Sequence, residues 1–393
     1  MDGHQIDSAR KHIDSYWQEL VVSQQTDLGT IIGLPHPYLT PTLGSGHFSF
    51  QEQYYWDSFF MAIGLREQKH EELVSGMLDN LIHLQQRFGI IPNASRTYFT
   101  GRSQPPLLTS FIFYLHDQFG KSTDWLLPRI EVAKTEYNTV WRGTNHPNWR
   151  DVFAGLSRYY DVNVLHDFAE MESGWDLTPR FNARALDHIP IDLNAILYKN
   201  ELDFARAAEL FGNDEEQNFW LAAAEQRKQS INKYLWHHDN GFYFDFNYQE
   251  HRQSEVWSLA PYFAMWAHLV DQDQAQALRD NLYRFEHAGG LTATAEAHAE
   301  LRNHPMQWAY PNGWAPLHYI VWKGLRNYGF HEDAERIKNK WLKTNLDWFS
   351  AHGEFLEKYN VVNPAELPTP GAYPTQSGFG WTNAVFERFC ANE

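Results

Sequence analysis

The chain has 393 residues, 43% of them hydrophobic, and a formal charge of -17; it is long enough to bury a sizeable core, and its acidity makes nucleic acid an unexpected partner. Mean hydropathy is -0.55, and no apolar run reaches the roughly 20 residues a membrane span needs. The polar start MDGHQIDSARKHID has no secretory pattern, and one cysteine, Cys390, leaves no internal disulfide framework, so a cytoplasmic location is expected.

Taken in chain order, most segments carry helical periodicity. Asp7 to Val22 places Ile13, Trp17, Leu20 and Val21 near helical spacing. Tyr54–Leu65 and Glu71–Phe88 follow, then Pro106–Phe119 with Ser122–Trp141, and Asp192–Phe211 with Asn213–Trp236. Trp257–Leu269 pairs with Gln272–Phe285, Pro316–Tyr328 with His331–Ser350, and Asn383–Ala391 closes the chain. Hairpins of helices joined by loops rich in Gly, Pro, Asn and Trp suggest an all-α toroid in one domain, residues 1–393. HHDNGFYFDFN, His237 to Asn247, breaks the pattern: Asn240-Gly241 before alternating Phe242, Phe244 and Phe246 reads as a turn and short strand. The Pro-rich stretch Asn363 to Pro374 reads as a long functional loop.

Aromatic residues make up 16% of the chain, including 16 Trp. Such a surplus fits either a cleft that stacks on sugar rings or an aromatic-rich core. Acids, aromatics and glycines concentrate in SFQEQYYWDSFF (Ser49–Phe60), IPNASRTYFTGRSQPP (Ile91–Pro106), ESGWDLTPRF (Glu172–Phe181), and the region from FLEKY (Phe355–Tyr359) to YPTQSGFGWTNAVF (Tyr373–Phe386). QWAYPNGWAP, from Gln307, is a fifth such block without an acid. Asp176 follows Ser173-Gly174-Trp175; apolar neighbours raise a carboxyl pKa, which suits a general acid. Glu357 lies between Leu356 and Lys358, and an inward-turned lysine would keep it ionised. One protonated and one charged carboxyl group is the pair that glycoside hydrolysis requires; a surface or capping carboxylate is the plainer reading of each. Asp57, after Trp56, is either a helix cap or a holder of sugar hydroxyls. The 20 histidines include no HExxH spacing, so no metal is expected, and no phosphate loop, dinucleotide fingerprint or GxSxG elbow is present; no cofactor is expected.

In these blocks the chain resembles the trehalases of glycoside hydrolase family 37 and, more distantly, family 63. SFQEQYYWDSFF is similar to the signature RFxExYYWDSYF, and QWAYPNGWAP to QWDxPNGWAP. IDLNAIL, FLEKYNV, QSGFGWTNAV, the Ile91 block and the Glu172 block follow in the same order, over roughly residues 45 to 390. The resemblance implies an (α/α)6 barrel and an inverting α-glycosidase acting on a small carbohydrate. By motif it implies Asp176 as general acid and Glu357 as general base, with carboxyl groups roughly 6.5–9.5 Å apart. It implies sugar contacts from Phe50, Tyr54, Trp56, Asp57, Asn93, Arg102, Gln104, Trp175, Arg180, Trp308, Asn312, Trp314, Gln376 and Trp381. On this reading the QWAYPNGWAP loop walls the cleft with indoles; the alternative is a loop that plugs the barrel mouth. Three features depart from the family pattern. Ser49 stands where trehalases carry Arg, Ala309 stands where they carry Asp, and an Arg-Pro-Glu-Ser-Tyr block after Tyr159-Tyr160-Asp161 is missing. Those charged groups grip a sugar unit, so the second half of the substrate is left open. Trehalose is the first candidate, glucosylglycerate or mannosylglycerate an alternative, with Arg96, Arg102, Arg180 or Lys358 to meet an acidic aglycone. A sugar-binding relative without catalysis, and an epimerase or lyase, are the readings from other classes.

Overall fold

Apolar stripes at helical spacing decide where most of the chain goes. The computed structural model describes residues 3–44, 50–296 and 306–391. The first helix, α1 (Gly3–Leu20), buries Ala9, Ile13, Trp17 and Leu20 along one stripe. It ends where Val21–Val22 pairs antiparallel with Tyr38–Leu39. Then come α2 (Tyr55–Ala62) and α3 (Glu71–Phe88). Glu71 and Glu72 complement the dipole at the start of α3, and Gly89, with φ 73°, supplies the left-handed residue that stops it. Next are α4 (Leu108–Phe119), α5 (Thr123–Glu136), α6 (His166–Glu172) and α7 (Ile191–Leu210). After these come α8 (Asp214–Tyr234), α9 (Tyr262–Trp266) and α10 (Gln272–Asp280). The last three are α11 (Ala315–Asn327), α12 (His331–His352) and α13 (Gly380–Cys390).

Two kinds of helix are present. All eight residues of α2, all five of α9 and most of α7 and α11 are buried. By contrast α8 buries only Trp220, Ala224, Arg227 and Ile231, a single stripe. Helices buried on every side belong inside others. The neighbours follow suit: α2 packs on α4, α4 on α7, α7 on α9, α9 on α11, α11 on α13, and α13 on α2. Outside them α3 lies against α2 and α4, α8 against α7, α12 against α11, and α1 against α12 and α13. The chain is thus mostly helical, with short strand pairs in the connections.

Several boundaries differ from the sequence expectation. Trp257–Leu269 is helical only over Tyr262–Trp266, because Ser258 bridges Thr294 and Leu259 N–H bonds Ala293 O (3.0 Å) in extended backbone. An apolar run of that length does not distinguish strand from helix. Ser122–Trp141 is α5 followed by a wider turn in which Arg142 N–H reaches Tyr137 O at 2.8 Å. The strand expected in His237–Asn247 divides: Phe242–Tyr243 pairs with Trp236–His237, and Phe246–Asn247 lies between His188–Ile189 and Arg252–Gln253. The short helix α6 has no counterpart in the sequence reading.

Candidate active site

One strand pair brings two distant blocks together. Asn312–Trp314 pairs antiparallel with Lys358–Asn360, Trp314 opposite Lys358 and Asn312 opposite Asn360. Glu357 therefore stands at the strand's edge, beside the QWAYPNGWAP loop. Its main chain is fixed on both sides. Glu357 N–H donates to Gln376 O (2.9 Å), and Trp381 Nε1 donates to Glu357 O (3.0 Å). Its side chain, 1% exposed, accepts from Lys358 Nζ at Oε2 (2.6 Å) and from Tyr373 Oη at Oε1 (2.7 Å). Lys358 has turned inward and is itself fully buried. An ionised carboxylate is acceptor-only, and both oxygens here meet donors.

Asp176 comes from the turn that follows α6. Gly174 has φ 75°, and a β-carbon there would lie 2.6 Å from the Trp56 ring, so both conformation and space require glycine. Below the turn, Glu172 accepts from Ser103 N–H (2.7 Å) and Tyr160 N–H (2.7 Å) and pairs with Arg150. Glu170 Oε1 accepts from the N–H groups of Leu177 (3.0 Å) and Thr178 (3.2 Å). The turn is thereby held from both sides. Burial pushes the Asp176 carboxyl up to about 7; Arg102 opposes this and Glu357 reinforces it. Asp57, in the first turn of α2, is likewise pushed up to about 8 by burial, with the charges of Glu357 and Asp176 adding to it. It sits in the first turn rather than at the cap position, which Tyr54 occupies, and a hydrogen bond to its own main chain opposes the rise.

These groups face one cavity of about 300 Å³. Of the residues named from sequence, its wall includes Phe50, Tyr54, Trp56, Asp57, Asn93, Arg102, Gln104, Asp176, Trp308, Trp314, Glu357 and Trp381. Gln104 Oε1 accepts from Trp56 N–H (3.0 Å), which ties the Ile91 block to α2. Arg102 lies over the rings of Phe99 and Phe168, donates to Asp161 (3.0 Å), and leaves its buried Nε without a partner among the described residues. Trp308 and Trp314 are stacked, with ring centres 3.8 Å apart and planes within 1° of parallel. The QWAYPNGWAP loop therefore walls the cavity.

Four residues named as sugar contacts stand elsewhere. Arg180 is fully buried between Asp192 and Asp245, donating to both carboxylates at 2.8–3.1 Å. Trp175 lies between Arg180 (4.5 Å) and Trp308 (5.4 Å), behind the wall. Asn312 donates to Gln307 O (3.0 Å) and Thr369 O (2.9 Å), and Gln376 carries the main-chain bond to Glu357. Arg96 is engaged with Glu52 and Thr30; of the four named cations it is Arg102, itself paired with Asp161, that lines the cavity. Ser49 lies outside the described residues; Ala309 is buried and off the wall. Sequence reasoning missed Phe99, Met171, Gln307, Ala372, Tyr373 and Phe379, which also line the cavity. Phe99, Gln307, Tyr373 and Phe379 lay within quoted blocks, but nothing in the sequence signalled that they face inward.

A larger hollow, about 410 Å³, lies where α1 meets the Arg66–His70 turn; in its lining Arg10 pairs with Glu387 and Lys69 with Asp14 and Glu67. Among the described residues no group of three or more His, Cys, Asp or Glu is placed to hold a metal ion, and no helix is long and apolar enough to cross a membrane.

The family model described as Trehalase matches residues 2–170 and 143–392. A cytosolic neutral trehalase from Kluyveromyces lactis is 32% identical, over 89% of this chain and 55% of that protein. The chain thus spans about half the length of that curated relative. The solved neutral trehalase of Saccharomyces cerevisiae superposes with a TM-score of 0.78 at 31% identity, covering 89% of this chain and 72% of that one. A family 63 mannosylglycerate hydrolase from Thermus thermophilus superposes with a TM-score of 0.73 at 18% identity, over 98% of this chain and 100% of that one, a likeness of fold.

Proposed function

The chain belongs to the trehalase family, and from that membership we propose that it is an inverting α-glycosidase whose first substrate is trehalose. The observation that carries the proposal is the contrast between two carboxyl groups on one cavity. Asp176 is held protonated towards neutral pH by burial, and Glu357 accepts a donor at each oxygen. In the proposed reaction Asp176 gives its proton to the glycosidic oxygen as that bond breaks. Glu357 takes a proton from a water attacking the opposite face of the anomeric carbon. Asp57 and Arg102 would hold sugar hydroxyls, and the Trp308 and Trp56 rings would pack on the sugar's apolar faces. Trp175, Arg180, Asn312 and Gln376 act behind them as supports. We read the circuit of inner helices as an (α/α)6 toroid in one domain; the order of packing neighbours supports this reading. The likeness to a cytosolic trehalase supports a cytosolic location.

A second substrate belongs in the same assay. Arg102 lines the cavity and a guanidinium can donate to a carboxylate, which favours an aglycone such as glycerate. Proton NMR of the protein with trehalose and with α-glucosylglycerate tests both. Inverting cleavage releases β-glucose alone from α-glucosylglycerate, and β- and α-glucose in equal amounts from trehalose, so early β-glucose from either supports inversion and names the aglycone; early α-glucose with no β-glucose overturns it. Binding of both without turnover would make the chain a sugar-binding relative.

A further inference from the structure

Two donors from different parts of the chain hold Glu357. Lys358, on Oε2, is pinned by its strand pairing and lies 4.9 Å over the Trp314 ring. Tyr373, on Oε1, comes from the loop Asn363 to Pro374, which forms no strand or helix. Asn312 moors that loop. Thr369 N–H donates to Asn312 Oδ1 and Asn312 Nδ2 donates to Thr369 O, both at 2.9 Å. At Gly371 the loop lies flush on Gln307, whose Oε1 would be 2.2 Å from a β-carbon there. Phe50 meets the Tyr373 ring edge-on at 5.8 Å.

We propose that Tyr373 is a positioning residue for the base: its hydroxyl aims Glu357 Oε1, and the aim holds only while the loop is seated on Asn312. This inference rests on Glu357 being the base. Lys358 alone fixes one oxygen and leaves the carboxylate free to turn about its terminal bond. A second donor on the other oxygen fixes the plane. Each carboxylate oxygen has two lone-pair sites, so Oε1 can accept from Tyr373 and still take a proton from water. The tyrosine oxygen can accept from that water in turn. The charged or titratable groups acting on Glu357 are Lys358 and Tyr373 in contact, and Asp176 and Asp57 through their charges.

Tyr373→Phe keeps the ring and removes the hydroxyl. A lost hydrogen bond to a charged group corresponds to a fall in kcat of about 10- to 100-fold, with KM changed by less than about 3-fold, since the interaction is not one of uniform binding. Losing a donor disfavours the carboxylate, so the acidic limb of the rate profile moves to higher pH. Asn312→Ala unseats the loop and moves the same limb in the same direction, by less. The hypothesis is overturned if Tyr373→Phe keeps the wild-type rate and limb, or if only KM rises, which would make Tyr373 a sugar contact. A substrate-free measurement separates this inference from the reading it rests on. With glutamate labelled at the carboxyl carbon and Glu357→Gln for assignment, carbon-13 NMR follows the titration of Glu357 directly. A midpoint raised in Tyr373→Phe supports the clamp even if the wild type hydrolyses no sugar offered; an unchanged midpoint removes it.

Discussion

Replacing Asp176 by Asn removes the proposed acid while keeping its shape, and stability and activity then move in opposite directions. The folded-state value of about 7 lies above the ordinary 3.8, so as pH rises the unfolded chain releases this proton first. Between roughly pH 4 and 7 the folded state binds more protons, and stability falls with rising pH; above about 7 the penalty is constant. From pH 5 to pH 8 about two units of this are traversed, or ~3 kcal/mol at about 1.4 kcal/mol per unit. Water in the cavity screens part of it, so about 1–3 kcal/mol is the expected range. Asn has no proton to lose, so Asp176→Asn gains that much over the wild type between pH 5 and 8. For a chain of 393 residues the gain is roughly 1–4 °C in Tm, while hydrolysis falls at least ~100-fold. Paired thermal melts at the two pH values, with initial-rate assays, check both halves. A difference between variant and wild type that is the same at pH 5 and pH 8 would refute burial as the force holding the proton.

Glu357→Gln abolishes turnover and leaves the fold intact, checked by rate and circular dichroism; near-wild-type activity would remove Glu357 from the mechanism. The pH profile of kcat/KM is bell-shaped, its alkaline limb near 7 set by Asp176; a flat profile from mildly acidic to neutral pH counts against a carboxylate pair. Gly174→Ala forces a β-carbon against Trp56 at a left-handed position, so it lowers stability by about 1–3 kcal/mol and displaces Asp176, costing rate as well. Arg180→Met strands Asp192 and Asp245 without their buried counter-charge, a loss of about 3–5 kcal/mol; an unchanged Tm would show that the network does not hold the fold.

What could be read in the sequence was whatever a local rule encodes. The apolar stripes of α1 and α3 are local, and each marked its helix. The extended backbone around Ser258 depends on Thr294, far along the chain, and no local signal gives it. The site divides in the same way. Composition and order placed five blocks together, and most of their named residues share one cavity. The direction a side chain faces was not legible: Arg180 turns to Asp245, 65 residues on, and Trp175 turns with it. Tyr373 reaches Glu357 from 16 positions further along the chain, and its spacing from FLEKY follows no repeat that could have paired them.

The indole pair on the cavity wall has an optical consequence. Trp308 and Trp314 lie parallel with ring centres 3.8 Å apart, close enough for their electronic transitions to couple. Where their transition moments cross at an angle, coupled indoles give a split circular-dichroism band in their strong ultraviolet absorption, distinct from the signal of the remaining tryptophans. Because Trp308 and Trp314 both face the space a sugar would enter, that band is an intrinsic, label-free report of occupancy, readable even in variants that turn nothing over.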